Sequence, residues 1–271
     1  MKMVKKQTHV LAIGSFAVHG VASLKAFTAI LGERILPVPS VMLNGLTNMS
    51  LVKKFDTPFR ELLEGTFELA ANRNIELILY TGYLGKAEQA DIILEMVQKY
   101  RNLIRFIITD PVCGDHGRTY VPQDVIEKWP KLIAASDMVF PNVTELRLLT
   151  GNLPDSNADV EACSEKFRQL YPGAQLVVTS IHDEEKRIGF RVFGEKPFSY
   201  SHRVLPRNYG GSGDAFLALF LLNCFYKQRS INDALKLAAD QTRRIIKNSI
   251  DRNSDDLLLE YLDLVKIKPQ I

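Results

Sequence analysis

Residues 75–112 read IELILYTGYLGKAEQADIILEMVQKYRNLIRFIITDPV. Two near-continuous apolar runs, IELILYTGYL and LIRFIITDPV, flank AEQADIILEMVQKYRN, whose apolar residues recur at helical spacing. A strand that is apolar on both of its sides is covered on both faces, and a strand–helix–strand succession of this kind is the unit of a parallel sheet.

The rhythm extends in both directions. Upstream, THVLAIGS reads as a strand, VASLKAFTAILGE as a helix, RILPVPSVML as a second extended run and FRELLEGTFELAANRN as a helix. Downstream, ASDMVFPNV and AQLVVTSI continue the strands. IGFRVFGEKPFSYSHRV breaks the pattern with short alternating runs around Gly-Glu-Lys-Pro, which predicts an antiparallel hairpin at an edge. The glycine-rich stretch NYGGSGDAFLALFLLNCF then opens an apolar helix. INDALKLAADQTRRIIKNSI and DDLLLEYLDLV predict two more. With no linker rich in Pro, Gly or Ser and no repeat, 1–271 reads as one α/β domain, three layers around a mainly parallel sheet.

Composition narrows the function. Hydrophobic residues make up 46% and charged residues 24%, as in an ordinary globular protein, and the net charge of +3 is spread along the chain. MKMVKK is a weak argument for nucleic acid, there is no finger-like Cys/His spacing, and no 18-residue apolar run predicts a membrane span. Three scattered cysteines, Cys113, Cys163 and Cys224, form no disulfide framework, which fits a reducing cytoplasm. VLAIGSFAVHG reads as a first strand rather than a signal peptide.

In open α/β sheets ligands bind at the carboxyl ends of the strands. Gly14-Ser15, Thr81-Gly82-Tyr83, Asp110-Pro111, Pro141-Asn142 and Thr179-Ser180 are expected at such ends, converging on a cleft. Asp110 has two readings, a turn former before proline or a carboxylate that meets polyphosphate through Mg²⁺ or its waters. Asn142 and Glu145 have two as well, a capping box or a cation site; Mg²⁺ asks for few carboxylates and keeps several waters. In GGSGD, glycines and helix-start N–H groups can cradle an anion, and Asp214 is either a helix-terminal carboxylate or a base taking a proton from a hydroxyl. GxxxxGK[ST], GxGxxG at the first strand, GxSxG and HExxH are absent. The histidines lack metal-like spacing, and His19 reads as an exposed or satisfied side chain.

Taken together, GSFAVHG, SVMLNGLTNMS, TGYLG, DPVCGDHGRTY, PNVTEL, VVTS and GGSGDAF, in this order, resemble the pyridoxal kinase family of the ribokinase-like superfamily. The resemblance implies an ATP-dependent kinase that phosphorylates the 5′-hydroxymethyl group of a vitamin B6 vitamer. It implies Asp214 as the base, Gly211, Ser212 and Gly213 as an anion hole, and Ser15, Thr47 and Tyr83 around the substrate. Asn142, Thr179 and Ser180 would serve the nucleotide, and Asp110 and Glu145 would govern Mg²⁺; a need for a monovalent cation such as K⁺ stays open. With no long strand-rich insertion between Gly14 and Lys53 the chain is expected to have a small edge hairpin and no large lid, and its composition points to no nucleic-acid or membrane partner; the resemblance further implies a homodimer. Ser212 stands where the family usually has threonine, and Leu46 and Met49 where many members have histidine and tyrosine. Hydroxymethylpyrimidine kinase is the alternative activity, and a non-catalytic vitamer- or nucleotide-binding protein the alternative class.

Overall fold

The computed structural model describes residues 7–46 and 49–259; Thr47 lies outside the described residues. The chain opens with β1 (Thr8–Ala17), α1 (Leu24–Leu31), β2 (Ile35–Leu43), β3 (Lys54–Phe55) and α2 (Phe59–Asn72). Next come β4 (Glu76–Thr81), α3 (Glu88–Lys99), β5 (Ile104–Thr109) and a small ladder of β6 (Gly114–Asp115) with β7 (Arg118–Thr119). They are followed by α4 (Gln123–Ile126), α5 (Trp129–Ala134), β8 (Met138–Val139), α6 (Val143–Leu149) and α7 (Val160–Leu170). The remaining elements are β9 (Gln175–His182), β10 (Arg187–Phe193), β11 (Phe198–Arg203), α8 (Ser212–Leu221) and α9 (Ile231–Asp251).

These elements divide into two compact units. The first holds the chain up to Ser15, Leu36–Val41 and Asp56–Arg203; the second holds Phe16–Ile35, Met42–Phe55 and the chain from Val204 on. In the first, eight strands follow the order β11-β10-β9-β8-β5-β4-β1-β2. β1, β4, β5, β8 and β9 pair in parallel, with Ile13 opposite Thr81 and Thr81 opposite Thr109. Their apolar runs are buried as the sequence predicts: Leu77, Ile78, Leu79 and Tyr80 are each at most 2% exposed. Fully burying side chains of this size contributes ~1.5–3 kcal/mol apiece before entropy is counted. α2 turns Phe59, Leu63, Phe67 and Ala70 inward, three to four residues apart. The predicted edge hairpin is present as β10–β11, antiparallel throughout.

The second unit is mainly helical. α8 buries Ala215 and every residue from Leu217 to Leu221, and α9 presents Ala234, Leu235, Ala238 and Ile245 to the interior. α8 packs against both α1 and α9, and β3 pairs antiparallel with the end of β2. The helix of AFLALFLLNCF ends in a π turn at Leu222–Tyr226.

Three expectations are corrected. Gly14-Ser15 lies inside β1 rather than at its end. The last bond to β4 is from the Gly82 N–H to the Ile13 carbonyl, but pairing toward β2 persists as far as the Val18 N–H on the Leu43 carbonyl. Thr179-Ser180 also lies inside a strand, because the antiparallel partner β10 prolongs β9 to His182 after β8 has stopped at Val139. The helix expected over 255–265 is absent from 255–259, the part of it that is described. There the backbone is tied down by side chains instead: Arg207 pairs with Asp255, Tyr209 Oη donates to the Ser254 carbonyl, and the Leu258 N–H donates to Ser249 Oγ.

Candidate active site

Along the carboxyl edge of the first unit, short backbone bonds draw the predicted strand-end residues together. The Gly82 N–H meets the Ile13 carbonyl, the Asp110 N–H meets the Thr81 carbonyl at 2.8 Å, and the Thr179 N–H meets the Pro141 carbonyl at 2.9 Å. A lone parallel bridge joins Asn142 to Thr179. Ser180, next to it, has φ 56, in the left-handed region, where the register of β9 against β10 shifts. Ser15, Tyr83, Asp110, Asn142, Glu145, Thr179 and Ser180 therefore all belong to this unit and sit toward one edge of its sheet.

Asn142 caps α6. Its Oδ1 accepts from the Glu145 N–H at 2.9 Å, and Glu145 Oε2 accepts from the Asn142 N–H at 2.9 Å, completing the capping box. Asn142 Nδ2 also donates to the Gly114 carbonyl, and the Cys113 N–H donates to Glu145 Oε1 at 3.1 Å. Glu145 is 2% exposed. Burial, and then the nearby Asp110 carboxylate, push its pKa well above the usual carboxylate value, against the pull of the Asn142, Cys113 and Gly114 amides. The capping and cation readings are thus compatible: the same carboxylate caps α6 and stands beside a second acid. Two adjoining carboxylates, one of them with a raised pKa, suit a divalent cation, which asks for one or two of them and completes its shell with waters and phosphate oxygens. Among the described residues no group of three or more His, Cys, Asp or Glu is arranged for a metal.

Tyr83 is buried and its carbonyl accepts from Ser40 Oγ at 2.6 Å. Buried Gln89 braces the same loop, accepting from the Gly85 and Lys86 N–H groups and donating to the Ser40 carbonyl. Cys113 is buried, and its thiol pKa is pushed up by burial and by the two acids, so it is no nucleophile. A groove of about 520 Å³ lies elsewhere in this unit, beside Thr57, Arg60, Lys86 and Glu88, and takes in none of the predicted site residues.

The second unit carries the glycine turn. Gly211 is the N-cap of α8 with φ 87, and a Cβ there would come within 2.0 Å of the Val21 carbonyl oxygen. Both conformation and space demand glycine. Gly213 differs: its φ lies outside the left-handed region, a Cβ would meet nothing within 4 Å, and the residue is exposed. The protein itself has no need of glycine there. Gly211 as N-cap has no side chain with which to cap α8, and the Ser212 N–H reaches back to the Tyr209 carbonyl at 3.4 Å. Mostly buried Asp214, in the first turn of α8, accepts from the Ser23 N–H and from its own. Its surroundings raise its pKa above the usual carboxylate value, and those two amides oppose the rise. Ser23 holds φ 48 as the N-cap of α1. Sequence reasoning missed it, along with Gln89 and the contact of Tyr80 Oη with Asp110 Oδ2 at 3.2 Å. Only the last left a signal, a tyrosine directly after the aliphatic run Leu77–Leu79 of its strand. His19 is exposed, 3.8 Å from Asp256, as expected.

This architecture is shared by solved kinase structures. Pyridoxal kinase from Lactobacillus plantarum matches with a TM-score of 0.79 at 22% identity, over 93% of this chain and 91% of that one. Pyridoxal kinase from Leishmania donovani in complex with ADP and pyridoxamine matches with a TM-score of 0.76 at 23% identity, over 90% and 88%. These likenesses define a ribokinase-like α/β fold. Pyridoxal kinase PdxY of Rubrobacter xylanophilus is 30% identical over 208 residues, 73% of this chain and 71% of its own. Pyridoxal kinase of Arabidopsis thaliana is 28% identical over 267 residues, 89% and 82%. A family model described as phosphomethylpyrimidine kinase matches residues 40–258. The chain belongs to that family and is a kinase of the pyridoxal kinase group within it.

Proposed function

We propose that this kinase transfers the γ-phosphoryl group of ATP to the 5′-hydroxymethyl oxygen of a B6 vitamer, giving the 5′-phosphate and ADP, with the whole of 1–271 acting as one kinase domain. The observation that carries the reading is the Gly211–Asp214 turn, an uncapped helix start with a carboxylate of raised pKa in the same turn. Phosphoryl transfer needs alignment, charge neutralisation and removal of a proton rather than a covalent side chain. In the proposed reaction Asp214 takes the alcohol's proton, and the amides of Gly211, Ser212 and Gly213 receive the phosphoryl oxygens. Ser15, Thr47 and Tyr83 border the ring, and Asn142, Thr179 and Ser180 hold the nucleotide. Asp110 and Glu145 hold Mg²⁺ or its waters. When bound, Mg²⁺ neutralises phosphate charge.

The names of the curated relatives support a B6 vitamer, and the family model, described as phosphomethylpyrimidine kinase, keeps a substituted pyrimidine such as hydroxymethylpyrimidine as the second reading. Purified protein should be assayed with ATP and Mg²⁺ on pyridoxal, pyridoxine, pyridoxamine and hydroxymethylpyrimidine side by side. Turnover of a vitamer is the expected result; turnover of the pyrimidine alone keeps the chemistry and reassigns the ring site, and silence on all four overturns the reading. A cytoplasmic homodimer belongs to the same proposal, and sedimentation at assay concentration tests the dimer. No helix among the described residues is long and apolar enough to cross a membrane.

A further inference from the structure

Tyr80 is the one hydroxylated aromatic in β4, following Leu77, Ile78 and Leu79, and is 2% exposed. Packing alone asks only for the ring. A buried phenolic hydroxyl costs stability unless it finds a partner, and here it donates to Asp110 Oδ2 at 3.2 Å. β4 thus grips Asp110 twice: the Thr81 carbonyl holds its backbone N–H at 2.8 Å, and Tyr80 holds its carboxylate.

Gly82 completes the arrangement. Its φ is not left-handed, so backbone conformation does not require glycine there. A Cβ would lie 2.6 Å from Tyr80 Oη and 3.1 Å from two ring carbons, so the room beside Gly82 is taken by the phenol.

We propose that Tyr80 is a positioning residue, which with the space left by Gly82 fixes the orientation in which the Asp110 carboxylate meets a divalent cation or its waters. The inference rests on the proposed role of Asp110 and extends it one residue outward. Partners of this kind tune metal affinity by orienting the group that meets the ion.

The test is Y80F, which deletes the hydroxyl and keeps the ring, with thermal melting to verify folding. Mn²⁺ binding in the presence of ADP, read from the free-Mn²⁺ electron paramagnetic resonance signal, needs no turnover. We expect affinity to weaken about tenfold. The Mg²⁺ concentration at half-maximal rate should rise by a similar factor while the KM of the alcohol stays unchanged. G82A should act in the same direction with the phenol present and add little on the Y80F background, and it serves as the second variant if Y80F melts early. Unchanged Mn²⁺ affinity and Mg²⁺ response in Y80F would make Tyr80 a core side chain only and overturn the proposal. Equal effects of G82A with and without the hydroxyl would detach Gly82 from it. If wild-type protein turns over none of the four alcohols, the functional reading fails, yet the Mn²⁺ titration still decides the role of Tyr80. Absence of Mn²⁺ binding by wild type would overturn the inference itself.

Discussion

The acids of the sheet edge and the acid of the glycine turn are held in opposite ways. Glu145 is sealed in, with backbone amides on both oxygens and a second carboxylate beside it. Asp214 is mostly buried but keeps some exposure, in a turn with almost no side chains, braced by the amide of a residue in the left-handed region. A carboxylate that must hold its place through many turnovers gains from redundant anchoring. One that must gain and lose a proton has to stay within reach of its substrate. Both have raised pKa values, but the neighbouring acid contributes at Glu145, whereas burial alone does the raising at Asp214.

The largest effect expected is at the acid of the glycine turn. D214N should keep the fold and ATP binding while lowering turnover by ~10²–10⁴-fold, the scale of positioned acid–base chemistry. Turnover near wild type would erase the contrast, leaving Asp214 as a helix-terminal carboxylate. The same assignment sets a pH dependence. A base acts ionised, so activity is present above its pKa and lost as pH falls through it. Because that pKa is raised, the acid limb of kcat/KM should lie above the ordinary aspartate value of about 3.9. A limb at or below that value would count against Asp214 as the group observed.

G211A attacks the turn that presents this acid. The new Cβ would meet the Val21 carbonyl, at a φ that side chains rarely adopt. A cost of ~1–3 kcal/mol is expected for the strained backbone alone, seen as a lower melting temperature together with lost turnover. G213A is the internal control: its Cβ meets no protein atom, so stability should be kept while the apparent KM for ATP rises.

The difference between the regions also explains what the sequence disclosed. β4, α3 and β5 were legible because their pattern records a two-sided burial that the sheet then supplies. The capping box was legible because Asn142 and Glu145 are three residues apart and the interaction is local. The ends of β1 and β9 were not, since pairing on the far side of a strand decides where it stops. Nor was the non-helical course of 255–259, where Leu257 is buried and its neighbours are tied to Arg207, Tyr209 and Ser249. The contacts of Ser23 with Asp214 and of Tyr80 with Asp110 join residues distant in sequence, and no local spacing encodes them.

At the sealed acid, E145Q should act through the cation rather than the alcohol. Gln offers one acceptor where Glu145 offers two, so either the Asn142 or the Cys113 amide loses its partner, and Asp110 is left as the one carboxylate of the pair. The Mg²⁺ requirement should rise about tenfold with the alcohol KM unchanged; an unchanged Mg²⁺ titration would leave Glu145 as a cap alone.

The smallest effect is expected from S212T, which restores the threonine that the family usually carries. Ser212 is the first helical residue of α8, directly after its N-cap Gly211. If backbone amides receive the phosphoryl oxygens, an added methyl group on a partly exposed side chain should change kcat/KM by about twofold at most, the scale of a ±0.5 kcal/mol substitution. A gain of tenfold or more would mean that the hydroxyl's rotamer matters, since threonine restricts χ1 where serine does not. The turn would then be a side-chain site after all, and the contrast with the amide-and-carboxylate lattice around Glu145 would have to be redrawn.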